Sequence, residues 1–278
     1  MDIKYHMING ALVPTDEAKL HISDLAILRG FGIFDYFRIK RGKVIFLEDH
    51  LERFFRSARI MNMQVPYSAE EISDMIDELI EKNGLDKFSV RLQLTGGYAP
   101  DAFSPVNPNL FLMSQPFPVV PEKILKNGSH VLTYEYQREI PEAKTINYLT
   151  GIRIAPLMAE HEADAVLYHD GTHIRESDRS NFFIVNQDGV LVTPKDKILW
   201  GVTRKITLKI APDIVKTEER EVTLEEMRNA KEMFLSSSTK SILPVTKLDG
   251  KIVGDGKPGE VTQKLMKRFQ EYLEAYLD

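Results

Sequence analysis

Three features between Lys144 and Arg204 carry reactive chemistry: the lysine of Lys144-Thr145-Ile146-Asn147-Tyr148, the Glu176 to Asn181 turn, and Gly201-Val202-Thr203-Arg204 after a short apolar run. They supply an amine, a carboxylate and a helix start within about sixty residues, an interval a small domain can span. An uncharged lysine amine forms imines with carbonyl compounds. A carboxylate can keep a heteroaromatic nitrogen protonated, and the N–H groups at a helix start bind phosphate.

A phosphorylated aromatic aldehyde such as pyridoxal 5'-phosphate needs those three partners, an arginine for its phosphate and a donor for its phenolic oxygen. Lys144 precedes an amphipathic stretch rich in Ile, Leu, Ala and Met, where partial desolvation would depress its ammonium pKa. Ser236-Ser237-Ser238-Thr239 offers further hydroxyl and amide donors. Each feature has an ordinary alternative. Lys144 and Arg53 can be solvated side chains, Glu176 can pair with Arg175 or Arg179, and Gly201 can be a turn with a threonine cap. His50 reads as a helix-surface or capping residue. It is the ordered set that points to the cofactor.

The elements that must position these residues are a mixture rather than a regular βαβ alternation, which argues an α+β fold. Asn9-Gly10 marks a hairpin within residues 8–13. Residues 32–39 alternate aromatic and polar side chains, turn at Lys40-Arg41-Gly42-Lys43 and return over 44–47 as a second hairpin. The spacing of Leu51, Phe54, Phe55, Ala58 and Ile60 predicts a helix over 51–61, and a second over 69–83 stops at Asn83-Gly84. Strands follow over 88–94 and 109–113.

Pro116, Pro118 and Pro121 deny helix and central strand, so residues 115–125 read as a linker between domains at 1–114 and 126–278. Beyond it lie a strand over 130–136 and a helix over 147–162. Asp-Gly turns at Asp170, Asp188 and Asp249 predict three hairpins, and helices follow over 204–210, 224–229 and 262–276.

The 278 residues include no cysteine, which removes disulfides, iron–sulfur clusters and thiolate chemistry. A net charge of −5 with dispersed Lys and Arg opposes nucleic-acid binding. No signal-like or membrane-length apolar run occurs, so the expected setting is soluble and cytoplasmic, with no membrane partner. The seven histidines show no metal-ligand spacing. Gly254 to Gly259 lacks the phosphate-loop spacing, and no Gly-x-Ser-x-Gly elbow is present.

Gly32-Ile33-Phe34-Asp35, His50-Leu51-Glu52-Arg53, 144–148, 176–182, 201–204 and 234–245 together resemble the class IV, fold-type IV aminotransferases. That family includes D-amino acid and branched-chain transaminases and aminodeoxychorismate lyases. The resemblance implies a homodimer of two-domain chains with pyridoxal 5'-phosphate at the domain interface. It implies Lys144 as the cofactor-bound amine and proton shuttle, and Glu176 at the ring nitrogen with Asn181 in the same motif. Arg53, Val202, Thr203 and Ser238 would hold the phosphate. Tyr148 would approach the phenolic oxygen, although its spacing from the lysine is one residue shorter than in branched-chain members. Phe34, Arg91 and Thr239 would border the substrate.

The chain departs from the usual D-amino acid transaminases, which carry an Arg-x-His carboxylate trap where this chain has Asp101 and Phe103. Arg29 and Arg179 occupy positions where relatives carry aromatic or small residues. They are the candidate carboxylate ligands, one of them supplied by a partner subunit. The competing expectation pairs Arg29 with Asp24 or Asp35, and Arg179 with Asp178. The implied activity is amino-group exchange between an amino acid and a 2-oxo acid, with D-amino acids first, branched-chain L-amino acids second and the lyase third. A cofactor-binding protein without turnover is the reading from a different class.

Overall fold

A computed structural model describes residues 3–278. The chain divides into two compact units. The first runs through Pro118 and also takes in Ala143–Asn147. The second comprises Val119–Glu142 and Tyr148–Tyr276.

In the first unit, β1 (Tyr5–Ile8) and β2 (Ala11–Pro14) form the Asn9-Gly10 hairpin. Helix α1 (Leu25–Arg29) precedes β3 (Gly32–Lys40) and the short β4 (Lys43–Val44). Then come α2 (Leu47–Ile60), α3 (Ala69–Asn83), β5 (Lys87–Thr95) and β6 (Leu110–Gln115). The sheet order is β2-β1-β6-β5-β3-β4. Strand alternation sends Ile33, Phe37 and Ile39 of β3 and Val90, Leu92 and Leu94 of β5 into one core with Leu51, Phe54, Ala58, Ile72, Ile76 and Leu79 of α2 and α3. Burial of such side chains is worth about 1.5–3 kcal/mol each, so this face holds the two helices down.

Two local expectations change here. The strand expected over 44–47 ends at Val44, because Phe46 turns left-handed (φ 56°) and starts α2 four residues before Leu51. Glu48 and Asp49 in the first turn suit that helix start electrostatically. Helix α3 has the expected bounds, with a reciprocal Ser68–Glu71 capping box and Gly84 as left-handed C-cap.

The second unit contains α4 (Glu122–Asn127), β7 (Ser129–Glu135), α5 (Leu149–Arg153), α6 (Ala155–Glu160) and β8 (Ala165–His169). It continues with β9 (His173–Ser177), β10 (Asn181–Val185), β11 (Leu191–Thr193) and α7 (Val202–Ile210). Then follow β12 (Thr217–Glu219), β13 (Val222–Thr223), α8 (Leu224–Arg228) and β14 (Glu232–Ser237). The chain closes with β15 (Ser241–Leu248), β16 (Lys251–Ile252) and α9 (Glu260–Leu277). The sheet order is β12-β11-β10-β14-β15-β7-β8-β9-β13, with β16 on β15. Phe182, Ile184, Leu235, Leu243 and Val131 fill its core. The three Asp-Gly turns join antiparallel pairs β8–β9, β10–β11 and β15–β16.

The segment expected as a linker at 115–125 is shorter in the structure: Gln115 still belongs to β6, and α4 begins at Glu122 after Pro121. The single helix expected over 147–162 is two short ones, α5 and α6, broken at Ile154. Pro156 has no N–H to give the Ile152 carbonyl, so the helix cannot run through.

Candidate active site

Lys144 belongs to the first unit. Residues 144–146 pass beside the start of β3, on the edge opposite β5. Phe34 N donates to Lys144 O (2.9 Å), Ile146 N donates to Gly32 O (3.0 Å), and Ile33 bridges Thr145. Gly32 is required for this approach, since a Cβ there would lie 2.7 Å from Leu94 O and 3.1 Å from the Ile146 side chain. The Lys144 ammonium lies 4.5 Å from the centroid of the Phe34 ring, and the Arg91 guanidinium lies 3.7 Å from the same ring. Arg91 also donates from Nε to Gln93 (2.8 Å). Phe34 and Gln93 face each other in the register, which sets this arginine, ring and amine together on the side of the sheet away from the core.

On the opposite side of β3, Asp35 is fully buried. It accepts from Arg53 Nε (2.8 Å) and Nη2 (2.7 Å), and His50 Nδ1 lies 2.7 Å from Oδ1. Burial opposes ionisation of Asp35, but Arg53 and His50 outweigh it and hold the carboxyl well below the usual range. Arg53 is thus a buried side chain with one edge committed to Asp35, its Nη1 facing elsewhere. His50 is 2 % exposed. The expectation of a surface or capping histidine is corrected, because a buried carboxylate opposite that face of α2 demands donors.

Glu176, Asn181, Val202 and Thr203 come together within the second unit. Glu176 Oε1 accepts two hydrogen bonds from Arg138 (2.9 and 2.7 Å), and Oε2 accepts from Leu199 N (3.0 Å). That leaves Oε2 acceptor capacity for one more donor, as a protonated ring nitrogen requires. Arg138 also donates to Pro141 O. Burial disfavours its charge, yet Glu176 raises its pKa overall. Tyr148, half-buried, lies close enough to Arg138 to act on it electrostatically.

Asn181 Nδ2 donates to Leu199 O (2.6 Å). Its Oδ1 fills the place where a Cβ on Gly201 would sit, at 2.1 Å, so only glycine fits before α7. Gly201 is the N-cap, with no side-chain cap, and Val202 and Thr203 form the first turn. Their N–H groups fall where a helix has no acceptor of its own. The hydroxyls of Ser180 and Ser236 are buried and make no hydrogen bond among the described residues. An uncapped helix start, a cradle that excludes a side chain and a carboxylate with spare capacity together fit a phosphorylated heteroaromatic cofactor. Ser238 and Thr239 lie in the tight turn from β14 to β15, where Thr239 Oγ1 is 3.2 Å from Ser237 Oγ.

Arg29 is exposed at the end of α1 and donates to Leu28 O (3.0 Å). The pairing with Asp24 or Asp35 does not occur: Asp24 is buried and accepts from Ala26 N, Thr95 and Asn109, and Asp35 is occupied as described. Arg179 does pair with Asp178, through Nε at 2.9 Å, although its side chain remains 62 % exposed. Lys240 lies near this pair, and burial lowers its pKa. Asp101 caps its own turn through Phe103 N, Ser104 N and Ser104 Oγ. These bonds, the Ser104 hydroxyl first, bring its pKa down to about 2.

The sequence reading missed Arg138 and Asp35. Nothing in spacing links Arg138 to a glutamate 38 positions away. Asp35 did leave a signal: it stands between Ile33 and Phe37 on the apolar face of an alternating strand, a position that calls for buried donors. Among the described residues no group of three or more His, Asp or Glu is placed to hold a metal ion, and no helix is long and apolar enough to cross a membrane.

Residues 32–248 match the family described as Amino-transferase class IV. The chain is 31% identical to the D-alanine aminotransferase of Staphylococcus haemolyticus, over 96% of this chain and 97% of that protein. It is 29% identical to a putative branched-chain-amino-acid aminotransferase of Methanocaldococcus jannaschii, over 95% and 94%. Among solved structures, the branched-chain amino acid aminotransferase of Escherichia coli superposes with a TM-score of 0.91 at 26% identity, covering 98% of this chain and 95% of that one. That of Thermoproteus uzoniensis with norvaline superposes with a TM-score of 0.86 at 28% identity, covering 97% and 94%.

Proposed function

Because this chain belongs to the class IV aminotransferases, which work on amino and keto acids with pyridoxal 5'-phosphate, we propose that it exchanges amino groups between D-amino acids and 2-oxo acids. The bound cofactor supplies an electron sink for the carbon bearing the amino group. In this reading Lys144 Nζ holds the cofactor and moves the proton at that carbon. Phe34 bounds the space beside the amine. Glu176, oriented by Arg138 and Leu199 N, keeps the ring nitrogen protonated, with Tyr148 at the phenolic oxygen. The first-turn N–H groups of α7, Thr203, Ser238 and Arg53 Nη1 hold the phosphate.

The observation that carries the choice of substrate is the state of the three arginine and aspartate positions. Asp101 is closed into its own turn, whereas Arg29 and the outer nitrogens of Arg179 are exposed. Both arginines suit a substrate carboxylate, and Arg91 and Thr239 border the side chain. The likeness to D-alanine aminotransferases supports this choice. A branched-chain L-amino acid reaction is the second reading, favoured by the likeness to the Escherichia coli enzyme. We further read the active species as a homodimer. Ile22 (76 % exposed) and Ile27 (55 %) flank the start of α1, apolar surface suited to a second copy.

A half-reaction screen tests the substrate. The visible absorption of the loaded protein is followed while D- and L-amino acids are added separately. Bleaching by D-alanine or D-glutamate but not by their L-forms is expected, and bleaching by L-leucine or L-valine alone would overturn the reading. Light scattering on a sizing column tests the dimer, which a monomer mass would sink.

A further inference from the structure

Ser57 lies in the third turn of α2, fully buried. Its hydroxyl donates to Arg53 O, one turn back, at 2.9 Å. The same oxygen accepts the backbone N–H of Lys144 at 3.1 Å, across 87 positions of sequence. A serine inside a helix that bonds back to its own i−4 carbonyl has its proton fixed, so its lone pairs point outward at a set angle. Here what they meet is the backbone of the proposed reactive lysine.

The contacts close on themselves. Asp35 binds the Arg53 guanidinium, the Arg53 carbonyl binds Ser57, Ser57 binds Lys144 N, and Lys144 O binds Phe34 N. Phe34 is covalently next to Asp35, and its ring lies beneath the Lys144 ammonium. Lys144 is therefore fixed on both sides of its peptide, by α2 through Ser57 and by β3 through Phe34. A long flexible side chain delivers a proton reliably only when its Cα is held, since small misplacements of a reacting group cost large factors in rate.

We propose that Ser57 is a positioning residue for the reactive amine, its hydroxyl tying the backbone of Lys144 to the helix that carries Arg53. The inference rests on Lys144 being that amine. It requires no contact between Ser57 and substrate or cofactor.

Ser57→Ala is the direct test, because alanine suits a helix interior and removes only the hydroxyl. Amide hydrogen exchange on the apo-protein reads the bond itself. A peptide covering 143–147 should exchange about tenfold faster, while peptides from α3 and β5 keep their rates and the melting temperature falls by no more than a few degrees. In the loaded protein, the single-turnover rate at saturating amino acid should fall about tenfold with substrate affinity unchanged. The pH at which the visible absorption changes should move as well. Unchanged exchange at 143–147 would overturn the proposal. So would faster exchange throughout α2, α3 and β5, which would make Ser57 a packing residue, or a local change that leaves rate and spectrum as they were. A borohydride-stable adduct persisting in Lys144→Ala would instead move the reactive amine elsewhere, whatever the exchange data on Ser57 show.

Discussion

Arg53 and Asp35 meet edge to edge inside the first unit, Nε to Oδ2 at 2.8 Å and Nη2 to Oδ1 at 2.7 Å, with both side chains buried. Removing one partner from such a pair strands the other charge. Asp35→Asn should therefore lower the unfolding free energy of the apo-protein by about 3–5 kcal/mol in a urea titration. A loss under about 1 kcal/mol, the range of exposed pairs, would mean the arginine finds another partner.

The same cluster sets an acid limit. Burial holds His50 below its ordinary value, with Asp35 pulling the other way. A histidine so depressed binds fewer protons folded than unfolded. Its contribution is present above about pH 6.5 and is lost as pH falls toward the folded pKa. Asp35 is also depressed, so its contribution is present above about pH 4 and is lost below it. Unfolding midpoints measured from pH 7 to 5 should fall, and His50→Asn should flatten part of that slope. An identical slope in the variant would place the loss at other groups.

Gly201→Ala sets a Cβ 2.1 Å from Asn181 Oδ1, so either the asparagine or the start of α7 must move. Overpacking of this kind costs about 1–3 kcal/mol, and the displaced N–H groups should weaken cofactor binding about tenfold or more. Titration of apo-protein with pyridoxal phosphate, read by fluorescence, measures it. Wild-type affinity would show that the cradle lies elsewhere.

Glu176→Gln keeps the size of the side chain but removes its charge and turns an amide NH2 toward either both Arg138 donors or the Leu199 N–H. The half-reaction rate should drop about a hundredfold, the scale of a misassigned proton in acid–base steps. Arg138→Met should show a milder form of the same defect, since Leu199 N still holds Oε2. Equal rates in wild type and Glu176→Gln would remove Glu176 from the ring nitrogen.

If Arg29 and Arg179 bind the substrate carboxylate as proposed, alanine at each position deletes a charge-assisted hydrogen bond, worth about 1.5–3 kcal/mol. KM for the amino acid should rise about tenfold to a hundredfold, with kcat much less affected. Unchanged steady-state kinetics in both variants would take the substrate carboxylate away from these arginines.

The family and the order of local elements are legible in the amino-acid sequence. Those signals are short-range: the Asn9-Gly10 and Asp-Gly turns, the Leu51, Phe54, Phe55, Ala58 and Ile60 stripe of α2, the Asn83-Gly84 stop of α3, and the ordered motifs from Lys144 to Arg204. Turn chemistry, capping and periodicity act between residues a few positions apart, so they survive without a fold. The partners of the polar residues emerge only in the folded chain. Arg53 could not be assigned to Asp35, nor Arg138 to Glu176, nor Ser57 to Lys144, because each bond joins distant positions that the chain brings together only when sheets and helices bury their apolar faces. The break at Ile154 and the attachment of Ala143–Asn147 to β3 follow the same logic. Buried donors and acceptors must find partners wherever packing puts them, and packing is a property of the whole chain.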